Sequence, residues 1–350
     1  MKKVLFVKSK DCKARWIDND KEILESRFKV IMMDVQSIKG FGFVFALLNQ
    51  FLKLLFTIHK YQVIYIWFAD YHSFFPVFLA KIFRKKSFIV VGGYDADEIL
   101  IKPAKSLRQK VRKFCVSYSI KHCYTLLPVS DVIKKYLMEF TINSKCHVVY
   151  NCVNANHFDT SNLKNKENLI ITIGGGGQYV KEVIRKRIDL FLKIGNEFNK
   201  KFPEYKAKFI AIGHDKNSET YKFLRKIPEF DSVMIAPLIT DVNALTEYLK
   251  RASIYMQLSF YESFGIAQAE AMLYECIPVS NPGGAIPEVV GDAGFLVEKF
   301  EINDYTIIIK EILDKQHEVL RAIAKQRILT KFSFETRKDK LLKLIDIENS

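Results

Sequence analysis

Short apolar runs alternate along the chain with longer stretches whose apolar positions recur every third or fourth residue. That alternation is the mark of parallel strands joined by crossover helices. In the first half the runs predict strands at Lys3–Val7, Lys29–Met33, Val63–Trp67, Ser87–Val91, Thr125–Pro128 and His147–Tyr150. Helices are predicted between them at Asp20–Ser26, Phe43–His59, Phe74–Phe83, Ala104–His122 and Asp131–Phe140. The stretch Tyr150–Asn168, YNCVNANHFDTSNLKNKEN, is polar enough to be a linker. Beyond it the pattern resumes, with strands at Leu169–Ile173, Ala207–Ile212, Ser232–Ile235, Ile254–Gln257, Ile277–Ser280 and Gly294–Leu296. The helices of this half are expected at Arg187–Lys200, Thr240–Arg251, Gly265–Tyr274 and Asn303–Leu313. The expected fold is α/β, with two doubly wound Rossmann-like domains facing a cleft. Residues 1–155 form the first domain, 156–332 the second, and an amphipathic helix over 333–350 closes the C-terminal end and packs back on the first. A length of 350 residues suits two domains better than one core.

Composition changes this picture little: 49% of residues are apolar and 27% charged, as in globular proteins. The six cysteines form no C-x-x-C pair and no zinc spacing, and read as free thiols in a reducing compartment. The first apolar run is too short for a signal peptide. Phe41–Ile58, FGFVFALLNQFLKLLFTI, is interrupted by Asn49, Gln50 and Lys53, so it reads as a buried or interfacial helix and not as a span. The expected location is cytoplasmic and peripheral at the inner face of the membrane.

Charge changes it more. The net +15 is unevenly divided: residues 1–150 hold 26 Lys and Arg against 12 Asp and Glu, and residues 151–350 hold 28 against 27. The first half therefore either meets something anionic or carries a solvated Lys-rich surface. Its basic residues include Lys81, Arg84, Lys85 and Lys86. Lys102, Lys105, Arg108 and Arg112 are read as sharing one face at helical spacing. With Phe41–Ile58 these residues suggest a patch for an anionic membrane surface.

Candidate chemistry lies at strand ends, where helix N-termini offer unpaired N–H groups. Three places in the second half fit. In IITIGGGGQYVKEVIRKRIDL a strand runs into Gly174, Gly175, Gly176 and Gly177, followed by Arg185, Lys186 and Arg187. Glycines allow close backbone approach and the basic residues suit a phosphate, although the spacing matches neither a Walker A loop nor G-x-G-x-x-G. In LSFYESFGIAQAEAM a helix starts near Gly265, leaving the N–H groups of Phe264, Gly265 and Ile266 for an anion such as a diphosphate. From Glu262 to Glu270 the chain can cover roughly 12 Å at about 1.5 Å per residue, enough to place the two carboxylates on either side of it. A carboxylate only accepts hydrogen bonds, so the pair suits the vicinal hydroxyls of a sugar and a ribose. In CIPVSNPGGAIPEVVGDAGFLV a strand, a Pro-Gly-Gly turn and a helix opened by Pro287 and Glu288 follow.

YESFGIAQAEAM followed by CIPVSNPGGAIPEVVGDAGFLV resembles the donor-site signature of retaining GT-B glycosyltransferases of family 4, also described as glycosyl transferases group 1. The resemblance runs from about Asn151 to the end of the chain and includes Lys186 in KRID, similar to the family's Lys-Gly-x-Asp. It implies that Glu270 binds ribose hydroxyls and that Glu262 faces the donor sugar. Phe264, Gly265 and Ile266 would supply backbone contacts, while Lys186, helped by Arg185, would neutralise the leaving diphosphate. Gly174 and Gly175 are assigned to the donor side. The resemblance further implies no divalent metal and no cofactor beyond the nucleotide-sugar itself, consistent with the absence of a D-x-D motif at a strand end of this second domain. The family's arginine after the first strand of this domain is replaced by glycines and Gln178, and Arg187 stands where it has glycine.

The first half is less specific, with KSKDCKARWIDND in place of the family's Gly-Gly loop. In SFIVVGGYDADEI, Asp95 is the candidate catalytic polar group beside donor sugar and acceptor, with Asp97 the alternate; a turn-forming aspartate also explains either. Asp70 and His72 are candidates for the acceptor side, although a histidine at a loop is more often a plain surface or capping residue. The function implied is retaining transfer of a hexose-class sugar from a nucleotide-sugar to a glycan or lipid-linked acceptor, in bacterial surface polysaccharide assembly. The rival from another class is a nucleic-acid or anionic-polymer binding protein, which would need aromatic residues interleaved with basic ones on an exposed sheet, or a recognised module; neither is found, so no nucleic-acid partner is expected. An epimerase or phosphorylase on the same fold is the rival among enzymes, and no pyridoxal-phosphate lysine signature is found.

Overall fold

The computed structural model describes residues 2–35, 41–96, 100, 103–141, 145–161, 163, 166–174, 179–315 and 317–347. The chain forms two compact units, Met1–Cys152 with Phe334–Ser350, and Val153–Ser333.

The first unit contains β1 (Lys3–Ser9), α1 (Arg15–Glu25), β2 (Lys29–Val35), α2 (Phe41–Thr57), β3 (Val63–Trp67), α3 (Tyr71–Ile82), β4 (Lys86–Val91), α4 (Leu107–His122), β5 (Thr125–Pro128) and α5 (Asp131–Phe140). Its five strands are parallel in the order β2-β1-β3-β4-β5. Strands covered on both faces need apolar residues at every position, which is why Val4 to Val7 and Val63 to Trp67 are buried throughout. The steps β2 to β3, β3 to β4 and β4 to β5 all run the same way across the sheet. Right-handed crossovers therefore put α2, α3 and α4 on one face and α1, from the reverse step, on the other.

The chain's last described helix, here designated α14 (Phe334–Ile347), belongs to this unit and meets α1. Arg337 of α14 lies buried against Asp20 of α1, Nε to Oδ1 2.5 Å and Nη2 to Oδ2 2.7 Å. Its Nη1 also donates to the carbonyls of Val149 and Tyr150. That contact explains one departure from expectation: His147–Tyr150 is not a strand. It follows β5 through His147 N to Leu126 O and Val149 N to Pro128 O. Two of its carbonyls are taken by a guanidinium, not by a further strand.

The predicted helix at Ala104 begins instead at Leu107, because Ser106 and Gln109 form a capping box. Lys105 consequently precedes the helix, Arg112 turns to Asp70, and Lys102 lies outside the described residues. Lys105, Arg108 and Arg112 therefore do not share one helical face.

The second unit contains β6 (Glu167–Ile173), α6 (Val180–Arg185), α7 (Ile188–Lys201), β7 (Lys208–Ile212), α8 (Glu219–Leu224), β8 (Met234–Ala236), α9 (Val242–Arg251), β9 (Ala252–Gln257), α10 (Ile266–Leu273), β10 (Ile277–Ser280), α11 (Ile286–Val290), β11 (Phe295–Leu296), α12 (Ile302–Lys315) and α13 (Glu318–Lys331). Its six strands are parallel in the order β11-β10-β9-β6-β7-β8. The chain winds outward from β6 to β8, then returns to β9 on the other side of β6. The loops leaving β6 and β9 part in opposite directions, which opens a crevice at their carboxyl ends. Helix α13 is not visible in the apolar pattern because charged residues point inward from it. Arg321 donates to the carbonyls of Ser253 and Glu275, and Arg327 to those of Glu288 and Val289 at the end of α11.

Candidate active site

The crevice between β6 and β9 collects the carboxylate and basic residues of the second unit. Glu262 stands in the loop after β9. Its Oε1 accepts from Arg185 Nη1 (3.1 Å), Gln257 Nε2 (3.2 Å) and Ser259 Oγ (2.9 Å). Among the described residues, none donates to its Oε2. One oxygen is fixed by three donors and the other is left to accept from a ligand.

The loop carrying Glu262 is held by the turn after β10. Ala285 N donates to Glu262 O at 2.8 Å, and Glu262 and Gly284 form a β-bridge. Both glycines are needed. A Cβ on Gly283 would meet Phe260 O at 2.4 Å, and Gly284 combines a φ of +66° with a 2.3 Å approach to Glu262 O. Asn281 completes the brace, donating to Leu258 O and accepting from Tyr305.

Gly265 precedes α10 with φ +90°, and no side chain caps the helix. The first N–H groups of α10 therefore point outward with the positive end of the helix dipole. Phe264 is buried, its ring 5.4 Å from that of Phe332, so this residue offers its backbone to the crevice and its side chain to the core. Ile266 is the first residue of the helix and Glu270 lies one turn further on, buried. Burial first, then the charges of both Glu262 and Glu270, hold the Tyr255 hydroxyl above the usual phenol range, so the two carboxylates act on one point of β9.

Lys186 ends α6 and donates to Ile173 O at 3.0 Å, at the carboxyl end of β6. Burial pushes its ammonium below the usual lysine range, against the pull of Glu262. A desolvated cation gains most when an anion arrives beside it. Arg185 donates to Tyr261 O and Glu182 as well as to Glu262. Gly174 follows β6 and lies against His214, whose Nε2 would be 2.2 Å from a Cβ there. Gly175 lies outside the described residues.

His214 is invisible in the sequence, where a lone histidine after a strand carries no signal. It is 2% exposed and its Nε2 has no hydrogen-bond partner among the described residues. Burial, with the Lys186 charge nearby, pulls its pKa down to about 4. Gln268 Nε2 is likewise buried and unpartnered among the described residues. Orphaned polar atoms of this kind are rare in folded proteins and mark places where a ligand or water completes the structure.

In the first unit the candidates gather at the carboxyl ends of β3 and β4. Asp95 is fully buried, accepting from Ala69 N at 3.0 Å and Gly93 N at 2.9 Å. Burial raises its pKa to about 6, opposed by those N–H groups. The carboxylate ties two strand-end loops together, a positioning role. Asp70 caps α3 and forms a two-pronged pair with Arg112, Nε to Oδ1 2.8 Å and Nη2 to Oδ2 2.5 Å. Although burial opposes it, this guanidinium holds the Asp70 carboxyl below its usual range. Arg112 also lies over the rings of Tyr71 and Tyr94. His72 is turned inward, its Nε2 2.8 Å from Trp67 O. Asp97 lies outside the described residues. Among the described residues no three His, Cys, Asp or Glu side chains cluster so as to hold a metal ion.

The family described as glycosyl transferases group 1 matches residues 154–328, half of the chain. The chain belongs to that family. No curated protein sequence matches it significantly. Solved structures match it in fold. A sucrose-phosphate synthase from Thermosynechococcus elongatus aligns with a TM-score of 0.75 at 12% identity, covering 99% of this chain and 98% of the other. HepE from Anabaena, in complex with UDP and glucose, aligns at 0.70 and 16% identity over 99% and 100%. The lipopolysaccharide outer core galactosyltransferase WaaB, in its apo form, aligns at 0.68 and 14% identity over 99% and 100%. The two parallel-sheet Rossmann-like domains are those of GT-B glycosyltransferases.

This glycosyltransferase departs from the resemblance at Arg187, and the structure gives the reason that the departure is tolerated. Arg187 keeps the left-handed conformation open to glycine, with φ +54°. A non-glycine residue there costs about 1–2 kcal/mol. Its guanidinium lies 4.8 Å from the Phe260 ring and 5.2 Å from that of Phe300, and pairs with Asp189, contacts that offset the strain. Arg187 is thereby engaged away from Lys186 and Arg185.

Proposed function

We propose that this glycosyltransferase moves a hexose from a nucleotide-diphosphate sugar to a glycan or lipid-linked acceptor, with retention at the anomeric carbon. The observation that carries the reading is the half-engaged Glu262: three donors hold Oε1, and Oε2 accepts from none of the described residues, beside an uncapped helix N-terminus. In this reading Oε2 accepts from a hydroxyl of the donor sugar, and Glu270 from the ribose. The diphosphate lies over the N–H groups at Gly265 and Ile266. Lys186 and Arg185 meet its charge as the bond from anomeric carbon to phosphate oxygen breaks. The acceptor oxygen bonds to that carbon on the same face and gives its proton to the departing phosphate oxygen. The basic side chains and the helix terminus would do the electrostatic work of a divalent metal, and no cofactor is required.

UDP-glucose and UDP-galactose are the first donors to try, since HepE was solved with UDP and glucose and WaaB is a galactosyltransferase. The WaaB likeness also favours a role in surface polysaccharide assembly. The test is a panel of UDP-, GDP-, ADP- and TDP-sugars, read by calorimetry and by release of the nucleoside diphosphate with EDTA present. Glu270→Ala should weaken binding of the accepted donor by about 1–3 kcal/mol. Binding of none of the donors, loss of turnover with EDTA that magnesium restores, or an inverted product anomer by NMR would each refute the corresponding part.

A further inference from the structure

The face of the first unit built by α2, α3 and α4 is both apolar and free of acidic residues. The three helices lie side by side, joined by ring contacts at Phe51–Phe75 (5.1 Å), Phe74–Phe114 (5.8 Å) and Phe74–Tyr118 (5.0 Å). Their inner sides cover the sheet. Their outer sides should be polar throughout in a protein surrounded by water, and instead they mix large apolar side chains with basic ones. Along α2, Phe45, Leu48, Leu52 and Phe56 are exposed, Phe45 at 71% and Phe56 at 70%. Their spacing of three, four and four residues sets them in one row. Along α4 a second row consists of Leu107, Val111 and Phe114, Leu107 at 79%. Ile82 and Phe83, at the end of α3, are exposed as well. Contiguous apolar surface of this kind marks an interaction site.

The charges identify the partner. None of the three helices contains an Asp or a Glu, while they carry Lys53, Lys81, Arg108, Lys110, Lys113 and Lys121 in addition to Arg112. Arg84 and Lys105, both exposed, and the half-buried Lys85 add positive charge at the helix ends. A second copy of the chain docked here about a twofold axis would set cations against cations, with no carboxylate from these helices between them. Phe45 also lines a groove beside α2 with Met33 and Asp34, while the exposed apolar side chains run in rows along the helices, a pattern suited to a deformable medium. Aromatic and aliphatic rows interleaved with lysine and arginine suit an anionic lipid surface, into which the apolar side chains insert while the cations meet headgroups.

We propose that this three-helix face is a membrane-docking surface for anionic lipid bilayers. Among the described residues no helix is long and apolar enough to cross a membrane. The docking proposed is peripheral and reversible. The inference is independent of the donor assignment, because it rests on other residues in the other unit. It carries a consequence for the acceptor: a docked enzyme meets substrates presented at the bilayer.

The experiment is cosedimentation of the full chain with vesicles of phosphatidylcholine alone and with phosphatidylglycerol added at about 30%. The expected result is at least about tenfold tighter binding to the anionic vesicles, released by salt at about 1 M. Lys105→Glu with Arg108→Glu and Lys110→Glu should lower that binding by at least about tenfold. Phe45→Ser with Phe56→Ser should weaken it while keeping its salt dependence. All five positions are exposed, and an unchanged urea midpoint confirms folding of each variant. Equal binding to neutral and anionic vesicles, or a protein that stays in the supernatant, would overturn the proposal. So would a dimer in gel filtration that the Phe45 and Phe56 substitutions dissociate, since that assigns the face to a second copy.

Discussion

The substitution Asp20→Asn tests how α14 is held to the first unit. Asp20 is fully buried and its carboxylate accepts four hydrogen bonds. Oδ1 takes Arg337 Nε at 2.5 Å, and Oδ2 takes Arg337 Nη2 at 2.7 Å, Tyr65 OH at 2.6 Å and Trp67 Nε1 at 2.8 Å. An amide has one oxygen. Placed at Oδ2 it keeps three donors, but its NH2 then faces the Arg337 N–H, donor against donor. The guanidinium, with only 2% of its side chain exposed, also loses its counter-charge. Breaking one partner of such a pair costs about 3–5 kcal/mol, a large share of the roughly 5–15 kcal/mol that stabilises a typical domain.

Both tryptophans of the chain, Trp16 and Trp67, lie in the first unit, so tryptophan fluorescence in urea reports on that unit alone. With a slope of about 2 kcal/mol per M, the midpoint should fall by about 1.5–2.5 M with the slope unchanged. Arg337→Gln alone should cost a similar amount, and the double variant much less than the sum, by more than about 1 kcal/mol. A midpoint moved by less than about 0.25 M, or additivity within about 0.5 kcal/mol, would refute the reasoning.

Two further outcomes concern the second unit. Lys186→Met should lower kcat at least about a hundredfold with a smaller change in KM, because the charge it meets grows in the transition state; steady-state kinetics with equal losses in binding and turnover would contradict this. His214, with its pKa pulled down to about 4, makes stability pH-dependent. Below the unfolded value of about 6.5 the unfolded chain binds a proton that the folded one refuses, so stability falls as pH drops from about 6.5 to 4, by about 3 kcal/mol in all. Urea titrations followed by circular dichroism should show that slope, and His214→Asn should flatten it; a profile identical in the two proteins would exclude His214 as its source.

The sequence by itself determined the strands buried on both faces, because such a strand must be apolar throughout, although the short apolar run His147–Tyr150 shows that the pattern alone also admits a non-strand. Val63–Trp67, Thr125–Pro128 and Ile277–Ser280 are found where the pattern puts them. It also determined the local part of the candidate site, since Glu262, Gly265 and Glu270 sit within one strand–loop–helix unit, as their spacing predicts. What joins distant segments was decided only by the tertiary structure. Glu262 is aimed by Arg185, seventy-seven residues earlier, and braced by Gly283 and Gly284 from the next turn. Arg337 reaches Asp20 across 317 positions, and Asp70 finds Arg112 across 42. His214 is an unremarkable residue until Gly174 and Lys186 close around it. Local spacing fixes what neighbours in the chain can do; burial and the pairing of charges are properties of neighbours in space, which an amphipathic pattern does not encode.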